Sequence, residues 1–280
     1  MTGTAAPASL GYRMPAEWEP HEATWIGWPR NPSDWPGKFP VIRWVYGEIV
    51  RKIAARETVR VLVDNVAREA RARRLLTRAG ADISRVEFFR FPTDRGWTRD
   101  FGPVFVHRDA PKPAVAVVGF RFNAWARYPD WRNDARVHER AAKALGVRLF
   151  PVLRGGKGVV LEGGAVDVNG RGTLIATEEC LLDPRTQVRN PGMSRKEYEA
   201  VFRDFLGAGN VIWLGRGIAG DDTHGHVDDV CRFTGPRTVV LCREADPRDG
   251  NYRALEENRE RLEGARLPDH VRPVRVVDVA

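Results

Sequence analysis

The 280 residues are 42% hydrophobic with nine Trp, which suffices for a well-buried core in one large domain or two ordinary ones. A net charge of +8 does not make a nucleic-acid binder here, because 39 of the 45 basic residues are Arg scattered between acids, without the one-faced clustering of an electrostatic footprint. No apolar run approaches the ~20 residues of a membrane span, no signal-like segment opens the chain, and three widely spaced Cys suit a reducing cytoplasm better than a disulfide framework.

In chain order, the acidic and aromatic segment Glu17-Trp18-Glu19-Pro20-His21-Glu22 leads into an apolar strand ending near Trp28. Residues 29–40, rich in Pro, Asn, Ser and Gly, read as a loop. Val41, Ile42, Val45, Ile49, Val50 and Ile53 recur at three- and four-residue spacing and predict an amphipathic helix to about Arg56. A β-branched strand follows at 58–63, then a helix capped by Asp64 or Asn65 and running to Arg78, then a strand at 86–91. The motif Trp97-Thr98-Arg99-Asp100-Phe101-Gly102-Pro103 precedes a strand at 104–106, a Pro-containing turn, a strand at 114–120, a helix at 133–145 and a strand at 147–152.

The same order recurs. Leu161-Glu162-Gly163-Gly164 and an apolar run to Val168 precede an Asn-Gly turn, a strand at 173–176, a helix with a Ser194/Glu197 capping box and a strand at 211–214. Next comes Asp221-Asp222-Thr223-His224-Gly225-His226-Val227-Asp228-Asp229, four carboxylates and two imidazoles in nine positions. Strands at 230–233 and 238–241, a helix at 251–262 and a strand at 274–279 follow. Sixty-two positions separate Asp100 from Glu162, and sixty-four separate Glu162 from His226. Such a period implies supersecondary units stacked or arranged about an axis, with their acidic motifs facing a common centre. By the same spacing another motif is due near position ~290, so the sequence is expected to lack a closing element.

Asp100, Glu162, His226 and Asp228 brought together would set three carboxylates around one imidazole. A planar guanidinium suits such a site, since carboxylates take its N–H groups in bidentate pairs. Trp97 would offer a face to the cation or its aliphatic stem. His226 would move protons, with Asp228 on the same face if the segment is extended. Taken singly, each acid also reads as a solvent-facing turn residue. Trp25, Trp28 and Trp213 read as core, His21 as a local cap, His107, His138 and His270 as surface, and His224 and Asp229 as scaffold. Cys180, Cys231 and Cys242 read as small buried hydrophobes.

Met14-Pro15-Ala16-Glu17-Trp18-Glu19-Pro20-His21-Glu22-Ala23-Thr24-Trp25, Trp97-Thr98-Arg99-Asp100-Phe101-Gly102-Pro103, Leu161-Glu162-Gly163-Gly164, Thr177-Glu178-Glu179-Cys180-Leu181-Leu182 with Arg189-Asn190-Pro191, and Gly225-His226-Val227-Asp228 together resemble the agmatine deiminase and bacterial peptidyl-arginine deiminase family. The resemblance covers about Tyr12 to Val279. It implies the pentein fold, an α/β architecture of five blades around a central site, here one domain over 1–280 with the final repeat missing or incomplete. It also implies hydrolytic deimination of a small cationic guanidino compound, most simply agmatine to N-carbamoylputrescine and ammonia, in the cytoplasm, by a homo-oligomer or monomer, without cofactor, metal, nucleic acid or membrane.

In the mechanism so implied, Asp100 and Asp228 hold the guanidinium, a Cys thiolate attacks its carbon, and His226 with Glu162 moves the protons. The family's nucleophile lies in a Gly-rich segment that is not found here, so the chain as written is expected to be inactive. Peptidyl-arginine is the second substrate. The arginine pair of that branch corresponds to Ala124 and Ala126, which favours a substrate without the carboxylate. A zinc hydrolase built on His224-x-His226-x-Asp228 and a non-catalytic guanidine binder are the remaining readings.

Overall fold

The computed structural model describes residues 5–110, 114–268 and 274–279. The expected turn at 111–113 and His270 lie outside them. Strands β1 (Ala23–Gly27), β2 (Thr58–Leu62) and β3 (Val86–Phe89) form a parallel sheet in that order, with helices α1 (Phe39–Ala54) and α2 (Val66–Arg78) as the crossovers. Parallel strands linked by helices are covered on both faces, and in β2 Val59, Val61 and Leu62 are at most 1% exposed. The cap of α2 is Asn65, whose side chain accepts from Arg68 N at 3.0 Å.

The next three sheets share one plan. After the single turn α3 (Thr98–Phe101), β4 (Val104–Arg108) runs antiparallel to β5 (Ala114–Gly119), and α4 (Val137–Leu145) returns the chain so that β6 (Arg148–Pro151) lies parallel on the far side of β5. A hairpin of β7 (Leu153–Arg154) and β8 (Lys157–Gly158) intervenes. Then β9 (Asp167–Val168) is antiparallel to β10 (Thr173–Thr177). The single turn α5 (Glu178–Leu182) and helix α6 (Arg195–Leu206) lead to β11 (Asn210–Leu214), parallel to β10. Finally β12 (Cys231–Gly235) and β13 (Thr238–Cys242) pair antiparallel, and α7 (Tyr252–Gly264) leads to β14 (Arg275–Val279), parallel to β13.

Each acidic motif stands immediately before the antiparallel strand of its sheet: Asp100 before β4, Glu162 before β9, and His226 with Asp228 before β12. The repeated element order expected from sequence is thus present in three sheets. The sheets stay separate rather than closing into one barrel among the described residues. Among the described residues the first sheet has no antiparallel member, and β1 pairs with β2 alone.

Local differences from the expected elements have local causes. The apolar run 159–168 is mostly irregular, with only Asp167–Val168 in a strand, because Val160 gives its backbone groups to the Asn190 side chain. The Thr-Glu-Glu-Cys-Leu-Leu stretch contains a one-turn helix capped by Thr177, whose Oγ1 accepts from Cys180 N at 3.1 Å. A helix so short leaves no periodic signal. The main core packs Tyr198, Phe202 and Leu206 of α6 against Leu174 and Ala176 of β10, while Leu255 and Leu262 of α7 cover Val239 and Leu241 of β13. Trp28 and Trp213 lie in the core as expected, at 6% and 7% exposed.

Candidate functional site

Asp100, Glu162, His226 and Asp228 come from three separate motifs and meet around one imidazole. His226 Nδ1 lies 3.6 Å from Asp100 Oδ1 and 3.8 Å from Asp228 Oδ1, and its Nε2 lies 3.5 Å from Glu162 Oε2. The last is an ion-pair distance without a well-formed hydrogen bond. His226 is 2% exposed and Glu162 fully enclosed.

The His226 segment is locally braced. Asp221 turns inward, its Oδ2 accepting from Gly225 N at 2.7 Å and from His226 N at 3.2 Å. Val227 and Val230, both buried, anchor the following turn. Asp100 is fixed by Gly164 N on Oδ1 and by the Trp125 indole N–H on Oδ2, each at 3.1 Å. Gly163 and Gly164 show why the Glu-Gly-Gly motif needs its glycines. A Cβ on Gly163 would sit 2.1 Å from Arg99 O, and one on Gly164 would sit 2.5 Å from His226 Nδ1, 2.8 Å from Asp100 Oδ1 and 2.9 Å from Asp228 Oδ1. The backbone of Gly164 therefore forms part of the wall that the three charged groups share.

Burial and mutual charge set the protonation states. Burial pushes Asp100 up to about 6, although the neighbouring His226 opposes it. Burial alone would lower His226, but Glu162, Asp100 and Asp228 together raise it to about 9. Burial likewise raises Asp228. Glu162 goes the other way: burial raises it, yet the Arg189 guanidinium and His226 outweigh burial and hold it below the usual range. At neutral pH the centre is an imidazolium among carboxylates, with an excess of negative charge.

A cavity of about 500 Å³ opens onto this cluster, with Trp97, Asp100, Trp125, His226, Asp228 and Asp229 on its lining. Trp97 is 37% exposed and packs on Trp35 with ring centroids 4.9 Å apart. Glu162 does not line the cavity but stands behind His226. A larger cavity, about 630 Å³, lies beside β1 and β4 and is lined by Trp25, Phe105 and Arg60 among others. Its His107 also faces two carboxylates, Glu19 and Asp109, but these groups are part-exposed or exposed. The smaller cavity meets an imidazole enclosed among largely buried carboxylates, so burial of the charged cluster rather than size selects it.

Four sequence expectations need correction. Asp229, expected only as scaffold, also lines the cavity, while its side chain hydrogen-bonds to Asp221, which braces the His226 segment. His107 and His138 are half-buried, not surface residues. His107 lies 3.7 Å from Glu19 and 3.5 Å from Asp109, and His138 packs against Gly119. Cys180 and Cys231 are buried but Cys242 is only partly so. The zinc-like spacing does not converge, since His224 points to Asp183 at 3.0 Å while His226 points to Asp100 and Glu162. Glu162, Cys180 and His226 do offer donor atoms within 4.8 Å of one another. Arg189 already occupies the carboxylate, however, and burial raises the thiol far from ionisation, so the trio is a poor metal set.

Two residues were missed. Trp125 orients Asp100 from a loop in which Ala124, Trp125 and Ala126 all have positive φ (51°, 58° and 53°). Non-glycine residues adopt this region at a cost of about 1–2 kcal/mol each. Arg189, with Glu162, forms an ion pair at 3.2 Å with neither side chain exposed. Its only sequence signal was its place in Arg-Asn-Pro, 27 positions from Glu162, and spacing of that kind cannot pair two loops.

Residues 13–280 match the family model described as Porphyromonas-type peptidyl-arginine deiminase. The chain belongs to that family. Among its curated relatives is the agmatine deiminase of Stutzerimonas stutzeri, 38% identical over 90% of this chain and 66% of the relative. The agmatine deiminase of Ectopseudomonas mendocina is 36% identical over 98% of this chain and 73% of the relative. The solved structure of Enterococcus faecalis agmatine deiminase superimposes with a TM-score of 0.87 at 30% identity, covering 99% of this chain and 73% of that one. The chain thus spans about two thirds to three quarters of the length of the relatives it matches. As a deiminase family member it carries the family's α/β fold, and no helix among its described residues is long and apolar enough to cross a membrane.

Proposed function

We propose that the Asp100–His226–Asp228 cluster binds the guanidinium of agmatine, and that the 280 residues are one unit built for its hydrolytic deimination. The observation that carries this reading is the meeting of Asp100, Asp228 and the His226–Glu162 pair at one cavity wall. Asp100 and Asp228 accept N–H bonds from the guanidinium, strengthened by low solvent access. A guanidinium carbon is a weak electrophile, so a thiolate must add to it. The C–N bond then breaks as His226 hands its proton to the departing ammonia. The resulting thiouronium is hydrolysed when His226 takes a proton from water and the thiolate leaves. Glu162 holds the imidazolium before the first of these proton transfers and after the second.

None of the three cysteines supplies that thiolate. Cys180, Cys231 and Cys242 are all off the cavity lining, and burial raises each thiol. We therefore read the 280 residues as guanidine-binding and without turnover. The shared plan of three sheets, each with its motif before an antiparallel strand, supports a five-bladed arrangement about the site.

Agmatine is favoured over peptidyl-arginine because Arg95, Arg99 and Arg232, the arginines on the cavity wall, are all committed to carboxylates. Arg95 holds Asp34 and Asp130 at 2.9 and 2.7 Å, and Glu17 holds both Arg99 and Arg232 at 2.5 Å. No arginine of this wall is left to receive a substrate carboxylate. The test is calorimetric titration with agmatine and with a C-terminal arginine peptide. Tighter binding of agmatine is expected, and a clear preference for the peptide would overturn the choice.

A further inference from the structure

Segment 187–190 bonds to the Trp125 loop, the Glu162 segment and the loop before His226, and none of its residues lines the cavity. Gln187 donates to Trp125 O at 3.0 Å and to Asp222 O at 3.2 Å. Asn190 takes both backbone groups of Val160, two residues before Glu162. Between them Arg189 donates to Gln187 O at 3.0 Å, to Thr223 O at 2.5 Å, and through Nε to both oxygens of Glu162 at 3.2 and 3.3 Å. One guanidinium thus ties the Glu162 segment to the loop that carries His226.

We propose that Arg189 is the positioning residue of this centre, supplying the fixed counter-charge that lets Glu162 act on His226. The proposal rests on the deiminase reading above for its purpose, but not for its test. Without Arg189 the fully enclosed Glu162 keeps only the His226 imidazolium, 3.5 Å away, against the cost of burying its charge, and its proton affinity rises. A protonated Glu162 cannot stabilise an imidazolium, so the proton relay would lose the partner behind it.

The groups facing the Glu162–His226 pair make Arg189 decisive. Cys180 of α5 is a buried neutral thiol, and Asp100, Asp221, Asp228 and Asp229 add negative charge. Arg99 lies against Asp228 and Glu17. Among the described residues, Arg189 is the one arginine paired with Glu162. A partner that was merely structural could be replaced by any side chain of similar volume.

The experiment is a ¹³C NMR titration of the Glu162 carboxyl in the 280-residue protein carrying [5-¹³C]glutamate, with Glu162→Gln identifying the resonance. In the wild type the Glu162 midpoint should lie below the usual carboxylate range. In Arg189→Met its midpoint should rise by about 1–3 pH units, the usual effect of losing an adjacent opposite charge. Arg189→Lys should bring it back toward the wild-type value. An unchanged midpoint in folded Arg189→Met, or no return in Arg189→Lys, would overturn the proposal.

If Arg189→Met does not fold, the double variant Arg189→Met/Glu162→Gln is expected to restore a cooperative melt, because it removes the unpaired charge. Failure to restore it would count equally against the proposal. Agmatine takes no part in these measurements. A failure of the guanidine reading would therefore appear separately, in the calorimetry.

Discussion

Asp100 is nearly enclosed, and its oxygens accept from Gly164 N and Trp125 Nε1 while facing the imidazole. Replacing it with Asn keeps the shape and removes the charge. A hydrogen bond to a charged group contributes about 1.5–3 kcal/mol, so Asp100→Asn should weaken agmatine binding by about 10- to 150-fold in calorimetry. The carboxylate must also be ionised. With Asp100 pushed up to about 6, affinity should fall as the pH is lowered through 6. Stability runs on the same groups. A folded-state value above the ordinary one contributes stability that is present at low pH and lost as the pH rises through it. For Asp100 that loss runs from the ordinary value of 3.8 up to about 6, and for His226 from 6.5 up to about 9. The melting temperature should therefore decline between pH 7 and 9.5, and His226→Gln should flatten that limb in a pH series of thermal melts.

Among the elements, the glycine pair after Glu162 is under the tightest constraint. Gly164→Ala would press a methyl into the space shared by His226, Asp100 and Asp228, so binding should be lost while the melt shifts only moderately. In contrast Asn65→Ala, which removes the cap of α2 far from the site, should cost about 1 kcal/mol and leave binding unchanged. These elements differ in how legible they were. The helices at 39–54, 66–78 and 195–206 announce themselves by periodicity and caps, which are local properties. The order of motif, strand and helix was readable for the same reason. The Trp125 loop and the Arg189 strap were not, because backbone strain and pairing between distant loops leave no local pattern.

For the whole molecule, surface left uncovered has consequences. Val41, Trp44, Val45 and Ile49 form an exposed apolar stripe on α1, between 40% and 62% exposed. Among the described residues the outer edge of β1 has no strand partner. Exposed apolar patches and open strand edges promote association. Sedimentation velocity should show self-association that grows with concentration, and a monodisperse monomer across tens of micromolar would contradict this. The convergence of Asp100, Glu162, His226 and Asp228 was anticipated from the repeat spacing, since units of about equal length put equivalent positions at one centre. The committed arginines on the cavity wall could be seen only once the chain was folded.

The proposed guanidine-binding centre is tested most directly by titrating agmatine into the 280-residue protein and its Asp100→Asn variant by calorimetry, while assaying ammonia in the same samples. The expected result is saturable binding to the wild type, weakened binding to the variant, and no ammonia from either. Equal affinity of both proteins, or no binding to either, would contradict the assignment of the site. Ammonia release by the wild type would contradict the reading that none of Cys180, Cys231 and Cys242 supplies the thiolate.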